Sequence, residues 1–199
     1  MGKVAGKLDM DFYPKDNSDM IEYLEGFRIF SEGRSKRINN LMIKVDPESG
    51  LDTRIFDYRF VIGGGNSTRV YKQTIFYLHS EELALPNFLM KPEHFFHRVG
   101  EFLGAKGDID FEEFPEFSKQ YLLKGDDELG VRSTFSNDML HFFTVEKNWS
   151  LEGLHNTILF YRKGKRQSPE IIQDFFNKGI LIYKMMKNPS GFGGYGEFV

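Results

Sequence analysis

Apolar and polar residues alternate most regularly between positions 54 and 78. In the first run, 54–62, Phe56, Tyr58, Phe60 and Ile62 fall on one side of an extended chain and Asp57 and Arg59 on the other. This period of two is that of a half-buried strand. A second run rich in β-branched and aromatic residues, 68–78, follows the segment Gly63-Gly64-Gly65-Asn66-Ser67. Together they read as one long β-hairpin with an aromatic face suited to a core and a mixed face carrying Asp57, Arg59 and Lys72.

Other elements follow from the same patterning. Residues 8–13 read as a short extended piece ended by Pro14. Asn17-Ser18-Asp19 offers helix caps ahead of Met20, Ile21, Leu24 and Phe27 at helical spacing, which predicts a helix over 19–30 closed by Gly33. A strand over 38–45 and the turn Asp46-Pro47-Glu48-Ser49-Gly50 lead into the hairpin, so three strands form an antiparallel meander. Phe88–Met90 reads as a short strand between Pro86 and Pro92. A helix is then predicted from Pro92, with Phe95, Phe96, Val99, Phe102 and Leu103 on one side and Gly104 at its end. Residues 108–115 alternate acidic with apolar side chains and suggest an exposed edge strand. A short helical turn over 116–121 and a turn at Gly125–Glu128 come next.

Phe135-Ser136-Asn137-Asp138 caps a predicted helix carrying Met139, Leu140, Phe142 and Phe143. A second hairpin, 149–154 and 157–162, turns at His155-Asn156. Ser168-Pro169-Glu170 combines a capping hydroxyl, a first-position proline and an early carboxylate, predicting a helix to about Lys187. Ile171, Phe175, Gly179, Ile182 and Met186 form its apolar stripe, and the aromatic face of the first hairpin is the surface expected to receive it. The fold class is α+β, a mainly antiparallel sheet built on long hairpins, covered by helices and ending in a long C-terminal helix. Residues 1–187 read as one domain, with lobes 8–90 and 91–187 as the alternative division suggested by a weak pseudo-repeat. Residues 188–199 read as a flexible glycine- and aromatic-rich tail.

Composition sharpens this picture. In 199 residues Phe (21) outnumbers Gly (20), so the core is expected to be aromatic-heavy. A formal net charge of -3 provides no global positive field for nucleic acid. The absence of cysteine excludes disulfides, thiolate metal sites and cysteine nucleophiles. No apolar run approaches a membrane span and the opening residues lack a signal-peptide core, so a cytoplasmic, soluble chain is expected.

The order IFDYRF, a glycine-bearing turn, QTIFY, then DIDFEEFPEFSKQYLLKGDDE, VRSTF, ILFYRKGKR and SPEII resembles an uncharacterised bacterial family of modest-sized proteins. The resemblance covers roughly residues 8–186. Globular parts of that family often follow one or two N-terminal membrane helices, so it implies a longer native form working at the cytoplasmic face of a membrane. It brings no catalytic residue with it.

Candidate chemistry is sparse. The loop from Gly63 to Ser67 is followed by a strand, where a phosphate-binding loop needs a helix, and reads as a turn. His94 and His97, three apart on the predicted helix, with Glu93, Glu101 and the acids Asp108, Asp110, Glu112 and Glu113, are a weak metal-site pattern lacking the HExxH context. The same acids offer paired carboxylates for hydrolysis, against the plainer reading of a solvated edge. Arg162, Lys163, Lys165 and Arg166 make a compact basic turn suited to lipid phosphates or an acidic partner. No cofactor is called for. The leading expectation is a non-catalytic interaction or accessory domain using Asp57, Arg59, Lys72 and the basic turn, with an unknown protein partner or membrane surface. The alternatives are a small-molecule or lipid binder with an aromatic-lined cavity, and a metal-dependent hydrolase built on His94 and His97.

Overall fold

The computed structural model describes residues 1–16, 19–94 and 107–189. Eight antiparallel strands form one sheet in the order β1-β2-β3-β4-β8-β7-β5-β6. Its centre is the expected hairpin, β3 (Asp52–Ile62) and β4 (Arg69–His79), paired without a break from Asp52 opposite His79 to Ile62 opposite Arg69. The turn between them depends on Gly63, whose φ of +81° would strain any side chain there. β1 (Asp11–Lys15) and β2 (Arg34–Val45) extend the sheet on one side, and β8 (Thr157–Tyr161), β7 (Ser150–His155), β5 (Leu85–Pro92) and β6 (Tyr121–Gly125) on the other.

Both sheet faces are apolar, and the period-two alternation sorts the residues between them. Ile55, Phe76, Leu78, Phe160, Leu151 and Met90 belong to the larger core, beneath α4 (Pro115–Gln120), α5 (Glu128–Thr134), α6 (Asn137–Val145) and α7 (Ile172–Lys187). Phe56, Tyr58, Phe60, Ile75, Tyr77, Leu159 and Tyr161 belong to a smaller core on the opposite face. The long helix therefore does not lie on the aromatic face of Phe56, Tyr58 and Phe60. It crosses β4 at Gly179, where a Cβ would stand 2.5 Å from Phe76 Cζ, so the missing side chain is what allows the close approach. Alternation in β3 alone could not select the face, because β4 is buried on both sides from Gln73 to Leu78.

Two four-residue helices, α2 (Met20–Tyr23) and α3 (Arg28–Ser31), cover the smaller core. One continuous helix was expected here. The chain turns at Gly26, which packs so close to Leu154 Cδ2 that a Cβ would be 2.9 Å away. The break lets Met20, Leu24, Phe27, Ile29 and Phe30 all turn inward, which a single helical stripe could not achieve. A further helix, α1 (Gly2–Lys7), had no amphipathic signal and buries only Ala5.

Elsewhere local chemistry predicts well. The Ser136 hydroxyl accepts from Met139 N–H at the start of α6, and Asp127 caps α5 by accepting from Gly130 N–H. Asp46 accepts the Glu48 and Ser49 amides in the turn before β3. The edge strand expected over 108–115 does not form. Ile109 turns into the core, its N–H donating to the Leu123 carbonyl at 2.8 Å, while the Asp108 carboxylate accepts from Leu123 N–H at 2.7 Å. This irregular segment satisfies the outer edge of β6 in place of a ninth strand. Pro92 ends β5; the helix expected beyond it, with Phe95, Phe96, Val99, Phe102 and Leu103, and the tail beyond 189 lie outside the described residues. No helix among the described residues is long and apolar enough to cross a membrane.

Candidate functional site

The residues singled out in the sequence fall into three places. The first is the far end of the β3–β4 hairpin. Asp57 is only 4% exposed. Its carboxylate accepts from Thr74 Oγ1 at 2.7 Å and from Asn40 Nδ2 at 2.8 Å, and Arg166 Nε lies 3.6 Å away. The mixed hairpin face thus begins with an acid that is fully engaged. Arg59 donates from Nη1 to the Ser35 carbonyl at 3.2 Å, and Lys72, directly opposite Arg59, is exposed.

The second place is the basic turn after β8, and the structure joins it to the first. Thr74 N–H donates to the Lys165 carbonyl, Gly164 N–H to Gln73 Oε1 and Gln167 N–H to Thr74 Oγ1. Segments some ninety residues apart therefore form one flank of the molecule. Its cations differ in how far they are engaged. Arg162 stacks 3.9 Å over the Trp149 ring and donates to the Lys147 carbonyl. Trp149 in turn stacks on Phe160, at 4.2 Å between ring centroids, so the turn is anchored to the larger core. Lys163 pairs with Glu32 at 2.9 Å. Lys165 is exposed and lines, with Lys147, Asn148, Arg162, Lys163 and His94, an open groove of about 470 Å³.

The third place is the histidine pair. His94 is exposed at the end of β5, and His97 and Glu101 lie outside the described residues. Among the described residues no group of three His, Cys, Asp or Glu side chains is placed to hold a metal ion. The acids Asp110, Glu112 and Glu113 do not share a strand face. They rim a groove of about 420 Å³ together with Arg132, over Phe111, Phe114 and Phe135.

One polar cluster escaped the sequence reading. Glu152, in the middle of β7 and 2% exposed, reaches across to the start of α3. Its carboxylate accepts from Arg28 N–H at 2.5 Å, Ile29 N–H at 3.2 Å and Tyr161 Oη–H at 2.7 Å. Burial pushes its carboxyl up to about 7, against the lowering effect of those three donors. Nearby, burial and the Lys163 ammonium push Lys91 down to about 8, and burial raises the Tyr58 and Tyr161 hydroxyls. A perturbed carboxylate is a common sign of catalysis. Here its oxygens are occupied by the protein's own donors, and what it does is fasten α3 to the sheet. A glutamate between Leu151 and Gly153 in a strand pattern was the only available signal, and nothing local reveals a partner more than 120 residues away.

An open eight-stranded antiparallel sheet, helices packed on it and a long C-terminal helix define an α+β fold. No family model matches the sequence, and no curated protein does. Among solved structures, the mycobacterial trehalose monomycolate transport factor A, TtfA, is similar in fold, with a TM-score of 0.61 over 94% of this chain and 89% of that one. Sequence identity is 10%, so the likeness is one of architecture.

Proposed function

We propose that this protein is a non-catalytic accessory domain that works by docking its cationic flank at the inner face of a membrane. The observation that carries the reading is the joining of the basic turn to the mixed hairpin face through the Thr74–Lys165, Gln73–Gly164 and Asp57–Arg166 contacts. Two weak sequence signals thereby become one surface. The shared fold with a protein named as a trehalose monomycolate transport factor is compatible with an accessory, non-catalytic role. The resemblance to a family with N-terminal membrane helices points the same way.

Docking is favoured over an enclosed lipid site because the aromatic side chains pack on one another. Phe30 and Tyr58 lie 4.3 Å apart, and Trp149, Phe160 and Phe175 form a continuous stack. It is favoured over catalysis because Glu152 is committed to holding α3. Fractionation of host cells tests the reading. The protein is expected to sediment with membranes at low salt and to be released near 1 M salt, where the screening length falls to about 3 Å. Recovery in the soluble fraction under every condition would overturn it.

A further inference from the structure

The strand register reveals a feature that no single segment of the sequence contains. Arg37 on β2 lies directly opposite Arg59 on β3, and Arg59 lies directly opposite Lys72 on β4. Directly opposed residues of an antiparallel pair point to the same face. With strands about 5 Å apart, the three cations form a row roughly 10 Å long. Like charges directly opposite one another destabilise a sheet. Among the described residues no carboxylate is bonded to any of the three.

The neighbouring rows limit what the cations can find within the protein. Toward the sheet centre stands the row Asn39, Asp57 and Thr74, where Asp57 is already bonded to Asn40 and Thr74 and paired with Arg166. Toward the tip stands Val61 opposite Val70, and Val70 is 49% exposed. Arg34, opposite Val61, donates to the Gly63 carbonyl. Register shifts between Arg34 and Arg37 and between Asn39 and Met42 bracket the row. Ser35 and Asn40 take positive φ values of +55° and +51° at these two irregularities. Bulges re-aim side chains, and these two set the positions from which Arg37 meets Arg59. The row shares its face with Ile55 and Phe76, where α7 meets β4; toward the hairpin tip, the wing of the sheet, Val61 is buried but Arg37, Lys72 and Val70 are exposed among the described residues.

We infer that this wing is the membrane-contacting element: Arg37, Arg59 and Lys72 bind the phosphates of anionic lipid headgroups, and Val70 enters the interface between headgroups and acyl chains. The inference rests on the docking reading above and supplies its contact residues. Charge complementarity selects the occupant, because a row of unmatched cations beside an exposed valine suits a surface that is anionic outside and apolar beneath. A bilayer also supplies several phosphates side by side.

Flotation of the full chain with vesicles of phosphatidylcholine, alone or mixed with phosphatidylglycerol, tests it. The protein is expected to float with the anionic vesicles and not with the neutral ones. Each charge removed should lower partitioning roughly fivefold, so R37Q/R59Q/K72Q should lose on the order of 100-fold. K7Q/K184Q, altering two exposed lysines outside the wing, should lose far less. Folding is controlled by the opposite sign of the stability change: R59Q should raise Tm by about 1–3 °C because it relieves the like-charge row. Full binding by the triple variant would overturn the inference while leaving membrane docking intact. Retention on host membranes without any binding to anionic vesicles would also overturn it, by pointing to a protein receptor. Failure on both host membranes and vesicles would remove the docking reading as well.

Discussion

The two faces of the sheet are held by different means. On the larger face, rings and aliphatic side chains from β3, β4, β5, β7 and β8 meet four helices, and Phe160, Trp149 and Phe175 pack mutually, Phe160 lying 4.2 Å from Trp149 and 5.6 Å from Phe175. The smaller face also has an aromatic floor, but its roof is two helices of four residues each. Helices so short have almost no stability of their own. Their position is set by tertiary bonds, and the Glu152 carboxylate beneath Arg28 and Ile29 supplies the most buried of them. One face is thus secured mainly by apolar burial, with the ion pairs of α7, Lys187–Glu82 and Lys178–Glu146, part-exposed at its rim. The other adds an ionisable group to that burial, which makes it sensitive to pH.

The largest effect expected from this difference is on the larger face. Phe160→Ala leaves a void in the ring stack and should cost about 3–5 kcal/mol in urea unfolding at any pH between 5 and 8. A cost that varied strongly with pH would break the contrast between the faces.

The next effect belongs to Glu152. Its folded pKa, about 7, lies above the ordinary value of 4.5. The native state therefore binds the proton more tightly than the unfolded chain. The stabilisation is fully present below about pH 4.5 and is lost as pH rises through about 7, amounting to as much as about 3 kcal/mol. Glu152→Gln should flatten that part of the stability–pH curve, and Glu152→Ala should in addition leave the Arg28 and Ile29 amides unmatched, costing roughly 1–3 kcal/mol. Amide exchange should show the loss concentrated in residues 19–32, with α7 protection unchanged. Uniform loss across both faces would mean that Glu152 acts on the whole fold.

The smallest effect is expected at the flank. Arg166→Gln removes one ion pair to Asp57 across 3.6 Å from a half-exposed guanidinium, while Thr74 and Asn40 remain bonded to the carboxylate. Thermal unfolding should register about 1 kcal/mol or less. A larger loss would show that the flank belongs energetically to the core.

What could be read from the chain follows from the range of the interactions involved. The β3–β4 hairpin, the Asp46 turn, the cap of α6 and the β7–β8 hairpin were all legible, because each depends on residues within a few positions of one another; Ser168-Pro169 opens a 3-10 turn over Pro169–Ile171 that leads into α7, without the expected hydroxyl cap. The stretch 108–115 was misread as a strand. Its alternation of acids with apolar residues matches an edge, but Ile109 and Asp108 are used on Leu123, fourteen residues or more away. The helix expected over 19–30 failed at Gly26 because of Leu154, on a distant strand. In the candidate surface, Arg59, Lys72 and the basic turn were visible as separate signals, Asp57 was mistaken for a surface group, and Arg37 was not seen at all.

By itself, then, the sequence determined the two hairpins, α6 and α7 and their order, since propensity, capping and alternation act locally; α1, β6 and α5 were not legible from it. It also determined an aromatic core and the absence of cysteine chemistry. Only the tertiary structure decided which face receives α7, because both sides of β4 are apolar and the approach depends on Gly179 meeting Phe76. Only register across three strands, set by two irregularities in β2, could bring Arg37, Arg59 and Lys72 into one row. That row exists through hydrogen-bonded pairing between distant segments.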